Sequence, residues 1–500
     1  MTKDLPNACW LPLPLKQIID NLPDGATTFI KHYERGNSAF DVSFQYLSPA
    51  ALKCVISFLC ERQKMILQKR SVEEIVSVLD LAAERWLDPS YKLRQQAIEQ
   101  ISIITGFSPA MIAHSIYLEQ ISSRGAHLMK ALVNELGDPG YLDGFRRNPK
   151  LGGFTRALGP GLIGAIFSSN IPALPHLEIM RAFLVKAACL GRVSAGEPIF
   201  LSLYAQTLAE IDPDIASCLA VIYWEHGDQE SERLFLESID YLVAYGGNEQ
   251  IVRLMEAKPP SLEVTWHGHR MGFAYICREA LIKNQIEELA DKVSYDYTIF
   301  DGHACLCPQI CFVEEGGEIS PNEFAKICAD KMSTWITKLP PRSLDLSEAS
   351  RKFRLRELYL MQESMGEPVK VVAAPEDYSF MVVMETVSQF KASPGERFLR
   401  IVPVDGLADV EEIIKPMQKY LQCAALAHGT GQFPEAIYNE FASWGVTRIV
   451  PPGIMGTPSM MWHHDGIMCL GKMLTWCDNE LVLPEKLLAD DVNRYSLADL

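Results

Sequence analysis

Apolar residues recur every three or four positions through much of the first third of the chain, with charged residues between them. This spacing places the apolar side chains along one face of a helix, so it predicts amphipathic helices. Asp138-Pro139-Gly140 interrupts the pattern. The predicted helices cover residues 50–68, 72–85, 91–104 and 112–136. We therefore expect a helical N-terminal region over residues 1–145 that packs on the unit that follows.

From residue 160 onward, short apolar runs alternate with helical stretches, a pattern typical of parallel strands joined by helices. The pattern predicts an α/β protein with a dinucleotide-binding domain over residues 146–290, a catalytic domain over 291–470 and a C-terminal segment over 471–500. Predicted strands of the first unit are 162–167, 192–194, 219–223, 241–245 and 262–266, and its predicted helices are 175–190, 199–211, 229–237 and 249–256. Predicted strands of the second unit are 310–313, 369–373, 380–386, 398–403 and 447–450.

Composition and charge exclude several classes of partner. The 500-residue chain carries 46 Lys and Arg against 63 Asp and Glu, a net charge of −17, so nucleic acid and anionic membrane surfaces are not expected partners. Its 13 cysteines are an odd number and scattered, which favours free thiols in a reducing compartment. No signal peptide or membrane-spanning stretch is predicted. We expect a cytoplasmic protein.

Two predicted strands end in turns that are suited to contact a ligand. Ser168, Ser169 and Asn170 follow the strand 162–167, and Gly246 and Gly247 follow the strand 241–245. Such turns bind ligands in open parallel sheets because helix N-termini direct free N–H groups there. Neither turn matches the glycine-rich dinucleotide fingerprint, so each is either a cofactor contact or an ordinary connection between strand and helix.

The loop 301–309 contains two thiols, Cys305 and Cys307, ahead of the strand 310–313. A loop cysteine whose thiol ionises is a nucleophile, whereas a buried cysteine is simply a small apolar residue. Cys305, Cys307 and Cys311 lack the second matched pair of ligands that zinc sites usually have, so we expect no metal.

Two further segments each allow two interpretations. Residues 462–466, Trp-His-His-Asp-Gly, are either a base with a carboxylate that orients it or a polar turn capped by its own side chains. The basic run 351–356 is either a solvated helix face or an anion-binding surface.

Several of these segments, taken in order, resemble the aldehyde dehydrogenase superfamily, and within it the LuxC-type acyl-CoA reductases. The resemblance runs from about residue 140 to 480 and implies an aldehyde-dehydrogenase-like fold with a Rossmann-type cofactor domain and an α/β catalytic domain. The segments that carry it are 169–175, 185–188, 194–200, 243–247, 304–309 and 452–466.

The resemblance assigns roles to individual residues. Cys305 resembles the catalytic thiol, and Asn170 resembles the asparagine whose amide helps to bind the oxyanion. Ala195 stands where these enzymes carry a glutamate against the adenosine ribose; without that carboxylate, Arg192 could pair with a 2′-phosphate, so NADPH is the expected cofactor. The residues expected at the cofactor are Ser168, Ser169, Arg192, Ser194, Gly246 and Gly247.

One departure from the family pattern bears on the reaction. Hydrolysing aldehyde dehydrogenases carry a Glu-Leu-Gly-Gly segment whose glutamate activates water, whereas residues 265–268 here are Thr-Trp-His-Gly. Glu263 or His303 could take this role in space. The missing glutamate favours reduction, because an enzyme that reduces a thioester must keep water from its acyl-enzyme.

The resemblance therefore implies NADPH-dependent reduction of fatty acyl thioesters, bound to CoA or to a protein, to fatty aldehydes. It also implies a homo-oligomer that works with an acyl-protein synthetase or acyltransferase. Two alternatives remain open: an NAD(P)-dependent oxidative aldehyde dehydrogenase, and a non-catalytic scaffold that binds nucleotide.

Overall fold

The structure, a computed structural model, describes residues 5–149, 153–429 and 434–480. In these residues the helices are α1 Leu13–Asp20, α2 Pro49–Arg62, α3 Val72–Leu87, α4 Lys92–Thr105, α5 Pro109–Ser122, α6 Gly125–Leu136, α7 His176–Leu184, α8 Phe200–Ile211, α9 Pro213–Ala216, α10 Gln229–Ser238, α11 Asn248–Ala257, α12 Ile286–Thr298, α13 Pro321–Lys338, α14 Leu346–Ser364, α15 Leu407–Ile414 and α16 Glu435–Ser443. The strands are β1 Ala26–Arg35, β2 Ser38–Leu47, β3 Arg146–Arg147, β4 Phe154–Leu158, β5 Leu162–Ile166, β6 Ala188–Arg192, β7 Leu219–Ile222, β8 Tyr241–Tyr245, β9 Glu263–His267, β10 Met271–Ile276, β11 Pro308–Glu314, β12 Val369–Ala373, β13 Met381–Glu385, β14 Phe398–Val404, β15 Leu421–Ala427, β16 Arg448–Val450 and β17 Thr475–Asn479.

The N-terminal region is not entirely helical as predicted, because it begins with an antiparallel hairpin. Strands β1 and β2 pair over their full length, from Ala26 with Leu47 to Arg35 with Ser38. The two-residue loop Gly36-Asn37 is a known hairpin signal, and Gly36 adopts a positive φ of 58°. The hairpin continues toward the sheet that follows through a bridge between Tyr46 and Tyr223.

The helices α2 to α6 follow the hairpin, and serine caps fix several of their starts. Ser71 and Glu74 form a reciprocal capping box at the start of α3. The single helix predicted over residues 112–136 is in fact two helices, α5 and α6. Asp80 of α3 explains the break, because its Oδ1 accepts hydrogen bonds from Arg124 Nε at 2.5 Å and from the Gly125 N–H at 2.7 Å.

A five-stranded parallel sheet, in the order β7-β6-β5-β8-β9, forms the first α/β unit. The predicted helix 175–190 is wrong in its second half, since α7 ends at Leu184 and residues 188–192 form β6. The strand predicted at 192–194 is therefore misplaced. Strand β6 is an almost wholly buried apolar run, and a short run of this kind has no periodicity that separates strand from helix.

A seven-stranded sheet, in the order β12-β13-β14-β11-β10-β15-β16, forms the second unit. It is parallel except for β12. Strands β10 and β15 were not predicted, although both are central and fully buried. Strand β10 pairs with β11 and β15, so the chain changes sheets between His267 and Met271, earlier than the boundary predicted at residue 290.

A small antiparallel sheet, β17-β4-β3, joins the two ends of the α/β region. Strand β3 pairs with the start of β4, with Arg146 opposite Thr155 and Arg147 opposite Phe154. Of the predicted C-terminal segment 471–500, residues 481–500 lie outside the described residues. Within the described ranges, no helix combines the length and the apolar character that a bilayer crossing requires.

Candidate active site

A cleft of about 750 Å³ lies where the two large sheets meet. The carboxyl ends of β5, β6, β8 and β9 open into it from one side, and the amino ends of β10, β11 and β15 open into it from the other. Ligands bind at the carboxyl ends of parallel strands in open α/β sheets. Six of the predicted site residues line this cleft: Ser168, Ser169, Asn170, Ser194, Gly246 and Cys305.

The other two predicted residues, Arg192 and Gly247, are not among the residues that line the cleft. Gly247 precedes the first turn of α11, whose free N–H groups are suited to a phosphate. A Cβ atom at its neighbour Gly246 would lie 2.6 Å from Gln250 Oε1, so the flexible Gln250 side chain would have to move to make room for it.

Arg192 lies at the end of β6 with its guanidinium 5.0 Å above the Trp224 ring. One of its terminal nitrogens donates to the Trp224 carbonyl at 2.9 Å, while Nε is buried without a hydrogen-bond partner. Burial lowers the pKa of Arg192. A buried, incompletely bonded guanidinium is suited to an anionic ligand.

Cys305 is half-buried and its thiol is protonated at neutral pH. Burial raises its pKa to about 12, and the charge of Asp465 adds to that effect. Hydrogen bonds from the backbone N–H groups of Cys305 and Leu306 act in the opposite direction but are outweighed. The thiol therefore requires a base before it can act as a nucleophile. Cys307 is fully buried, and its thiol donates to the Ile299 carbonyl at 3.4 Å.

The loop that presents Cys305 contains three consecutive residues with positive φ: Phe300 at 52°, Asp301 at 50° and Gly302 at 76°. Directly opposite lies a second run of this kind, Gly395 to Arg397, with φ values of 75°, 56° and 61°. Non-glycine residues in this region are strained and persist only where their surroundings hold them.

A buried ion pair holds the two strained turns together. Arg397 Nε lies 2.5 Å from Asp301 Oδ1, and both side chains are only 1% exposed. The Arg397 N–H also donates to the Asp301 carbonyl at 3.2 Å, and Asp301 Oδ2 accepts the Arg342 N–H at 2.8 Å. The position of the thiol is thereby tied to the loop before β14.

His303 contributes a second connection between the same turns. Its Nε2 lies 2.9 Å from Glu396 Oε1. Burial alone would raise the pKa of Glu396, but the bonds from His303 and Arg342 outweigh it and hold the value at about 2. Gly395 packs under the His303 ring, where a Cβ atom would lie 2.6 Å from ring carbon Cε1.

The structure reveals a histidine and aspartate pair that the sequence did not assign. His267, the last residue of β9, has Nδ1 2.7 Å from Asp465 Oδ2. Asp465 also accepts hydrogen bonds from Arg270 Nε at 3.0 Å and from Gln422 Nε2 at 2.6 Å. Burial acts to raise the pKa of Asp465, but His267, His464 and Arg270 outweigh it and keep the carboxylate ionised.

Because ionised Asp465 accepts the proton on Nδ1, Nε2 of His267 is left as a hydrogen-bond acceptor. His267 and Cys305 line the same cleft. An orienting carboxylate was one of the two interpretations of residues 462–466, and Asp465 in fact contacts His267 rather than the adjacent His464. Burial lowers the pKa of His464 well below its usual value, and its ring stacks on His267 with the centroids 3.9 Å apart.

Of the two substitutes named for the missing glutamate, only His303 lines the cleft. Glu263 is exposed at the opposite end of β9 from His267. Asp465 is the one carboxylate among the described residues that line this cleft. Ligand atoms of His267, His464 and Asp465 lie within 4.8 Å of one another, a spacing that a metal ion also requires, but both Asp465 oxygens already accept hydrogen bonds.

A family model described as acyl-CoA reductase (LuxC) matches residues 67–476. The chain belongs to the acyl-CoA reductase (LuxC) family. It is 23% identical over 419 residues to the long-chain acyl-protein thioester reductase of Vibrio harveyi. That alignment covers 82% of this chain and 83% of the relative. It is also 23% identical over 431 residues to the protein of that name from Photorhabdus laumondii, with 85% of each chain covered.

Solved aldehyde dehydrogenases share the fold of this LuxC-family chain. The enzyme from Brucella melitensis superposes with a TM-score of 0.66 at 12% identity and covers 94% of this chain and 96% of its own. Aldehyde dehydrogenase C from Pseudomonas syringae, solved with NAD⁺ and octanal, gives a TM-score of 0.66 at 12% identity and covers 92% and 94%. The predicted aldehyde-dehydrogenase-like α/β fold is confirmed.

Replacing Arg397 by glutamine leaves Asp301 buried without its charged partner. We expect Arg397→Gln to lower the free energy of unfolding by about 3–5 kcal/mol, measured by urea denaturation. The control is Arg233→Gln, which removes the exposed pair with Glu237 and is expected to cost less than about 1 kcal/mol. Equal losses in the two variants would contradict the role given to the buried pair.

Proposed function

We propose that this protein reduces fatty acyl thioesters to fatty aldehydes with NADPH, through an acyl-enzyme formed on Cys305. The observation that carries the proposal is the meeting of Cys305, Asn170 and the Gly246 turn on the wall of one cleft. The curated relatives named long-chain acyl-protein thioester reductases support the same reaction class.

The first step is transfer of the acyl group to sulfur. His267 Nε2 removes the proton from the Cys305 thiol, and Asp465 stabilises the resulting imidazolium. The sulfur then attacks the thioester carbonyl, and the oxyanion accepts hydrogen bonds from the Asn170 amide and the Cys305 N–H. When the tetrahedral intermediate collapses, the carbon bond to the donor sulfur breaks and His267 returns the proton to the departing thiolate.

The second step is reduction of the acyl-enzyme. Reduced nicotinamide, when bound, supplies the hydride to the carbonyl carbon. Asn170 and the Cys305 N–H hold the new oxyanion, which collapses with cleavage of the carbon bond to Cys305 and releases the aldehyde. The Cys305 thiolate regains a proton through His267, so each turnover consumes one proton from solvent. No glutamate among the described residues lines the cleft to activate water against the acyl-enzyme.

The cofactor preference rests on Arg192 and Ala195. Tyr33 of the hairpin donates its hydroxyl to the Ala195 carbonyl at 2.8 Å, which fixes the turn after β6. With alanine at position 195, no carboxylate at that position repels a 2′-phosphate. The nearby Arg192 guanidinium, with its free Nε, supplies positive charge.

The names of the relatives favour a protein-bound acyl donor, so we propose that the acyl group arrives either on a protein, through an acyl-protein synthetase or acyltransferase, or as its CoA thioester. Assembly as a homo-oligomer and a cytoplasmic location stay predictions.

Cys305→Ala tests the acyl-enzyme directly. Radiolabelled acyl-CoA without cofactor is expected to label the wild-type protein, and NADPH is expected to discharge the label as aldehyde. Cys305→Ala is expected to take up no label, whereas Cys477→Ser, which removes an exposed thiol, should be labelled like the wild type. Acyl label on Cys305→Ala would contradict the proposed acyl-enzyme. Formation of free acid from aldehyde without a thiol acceptor would favour the oxidative alternative.

His267→Gln tests the base through the pH profile of acylation. The Cys305 pKa is raised to about 12. Without a base, the ionised fraction of the thiol therefore rises about tenfold for each pH unit below that value. Single-turnover acylation by the variant should be slow at pH 7 and rise steeply to pH 9, whereas the wild-type rate should depend less steeply on pH because His267 supplies the base. His269→Gln, which also removes an imidazole from the cleft wall, is the control. Parallel profiles for His267→Gln and the wild type would exclude His267 as the base.

Arg192→Gln tests the cofactor preference. Loss of a charge-assisted contact is expected to raise the KM for NADPH about tenfold or more. The KM for NADH should change little, because NADH lacks the 2′-phosphate. Equal increases in the KM values for NADPH and NADH would show that Arg192 supports the fold of the site and does not bind the 2′-phosphate.

A further inference from the structure

A second cavity, of about 760 Å³, adjoins the cleft that holds Cys305. Ser169, Asn170, His303 and Gly395 lie on the walls of both. A molecule whose carbonyl group is held at Asn170 can therefore extend from the cleft into the second cavity. The second cavity is separate from the turns at Gly246 and Ser194, which line the cleft alone.

One face of helix α14 forms a wall of the second cavity. The residues of α14 that line the cavity are Glu348, Arg351, Lys352, Leu355 and Arg356. Their spacing of three and four residues places them along a single side of the helix. This face contains part of the basic run 351–356, for which solvation and anion binding were the two open interpretations.

Positive charge exceeds negative charge on the walls of the second cavity. Five of its residues are cationic and two are acidic, which leaves three positive charges in excess in a chain whose net charge is −17. The cationic residues are Arg35, Arg342, Arg351, Lys352 and Arg356, and the acidic residues are Glu348 and Glu396. A local excess of this kind, partly enclosed by protein, attracts anions.

The acidic residues are already paired, and two of the cations are not. Arg342 bonds to both Glu348 and Glu396. Among the described residues, neither Arg351 nor Lys352 has a carboxylate within 4.0 Å of its charged nitrogen atoms. Lys352 is half-buried, and burial lowers its pKa more than the nearby charges of Glu396 and Asp301 raise it, so its ammonium has lost hydration without a carboxylate in direct contact.

Apolar side chains form much of the remaining wall, and they include Ile104, Phe107, Phe380 and Phe398. The cavity thus combines apolar surface with unpaired cations, next to the thiol that we propose accepts the acyl group. In a thioester donor built on CoA or on a carrier protein, the thiol half carries a phosphate, while the acyl chain carries no charge. Phosphate is the anion that these cations can recognise in the substrate.

We propose that this cavity binds the phosphopantetheine half of the acyl donor, with Lys352 and Arg351 at its phosphate. The inference rests on the proposed function for its placement beside Cys305. CoA thioesters and carrier-protein thioesters share this phosphate, so the shared chemistry defines the site and the two donors are separate arms of the test.

The test compares donors with the same acyl group: the CoA thioester, the carrier-protein thioester and the N-acetylcysteamine thioester, which has no phosphate. In the full-length Arg351→Gln, Lys352→Met double variant, the KM for a phosphate-bearing donor is expected to rise about tenfold or more. The KM and kcat for the N-acetylcysteamine thioester should stay within about twofold of the wild type, because that donor makes no phosphate contact. If the KM rises for only one of the two phosphate-bearing donors, that donor is the one that the cavity binds.

Arg354→Gln is the matched control, because Arg354 lies on the same helix but is exposed and does not line the cavity. It is expected to leave all three KM values unchanged. An unchanged KM for both phosphate donors in the double variant would overturn the proposal. An equal rise with the N-acetylcysteamine thioester would also overturn it, since the cavity would then hold the acyl chain.

A binding measurement separates this inference from the proposed reaction. Titration calorimetry with 4′-phosphopantetheine and with pantetheine, which differ only by the phosphate, requires no turnover. The wild type and Arg354→Gln are expected to bind the phosphorylated compound about tenfold or more tightly than pantetheine, and the double variant to lose that difference. If Cys305 takes up no acyl label while this difference persists, the reaction scheme fails and the phosphate site stands. Equal binding of the two compounds by the wild type would overturn the site.

Discussion

The ion pair between Asp301 and Arg397 is the constraint on which the candidate site depends. It joins two turns whose backbones adopt conformations that non-glycine residues avoid, and one of these turns leads directly to Cys305. Burying two charges costs free energy that their attraction and further hydrogen bonds must offset. The Arg342 N–H and the Arg397 N–H supply such bonds to Asp301, whereas both terminal nitrogens of Arg397 are buried without a hydrogen-bond partner among the described residues. The thiol is thus held at a defined position by a part of the chain nearly one hundred residues away.

The site exists because two sheets meet end to end. The five-stranded sheet contributes its carboxyl ends, with the turns that carry Asn170 and Gly246, and the seven-stranded sheet contributes the amino end of β11, just after Cys305. The histidine and aspartate pair crosses the same junction, since His267 ends β9 and Asp465 lies in a loop 198 residues later. The proposed nucleophile, Cys305, and the proposed base, His267, come from different sheets, so they can act together only when the two units are packed.

Local patterns in the sequence predicted most of the elements but not their partners. Helices with regular apolar spacing and serine caps, such as α3, were predicted close to their observed bounds, and the turns at Asn170, Gly246 and Cys305 were predicted to be functional. Strands β10 and β15 were not predicted, because the apolar residues of a fully buried strand show neither alternation nor helical spacing. The hairpin β1–β2, by contrast, has a local signal in Gly36-Asn37 and is in principle predictable from the sequence. The pairing of His267 with Asp465 leaves no trace in local spacing, because it arises from the packing of the two sheets.

The protonated state of Cys305 has a consequence for how the protein tolerates oxidants. Peroxide reacts with the thiolate form of cysteine, so a sulfhydryl that stays protonated until substrate arrives is a slow target. Exposed Cys477 lies outside the cleft and can be oxidised without loss of the proposed nucleophile. The same burial that keeps the Cys305 thiol protonated thus also protects its sulfur from peroxide.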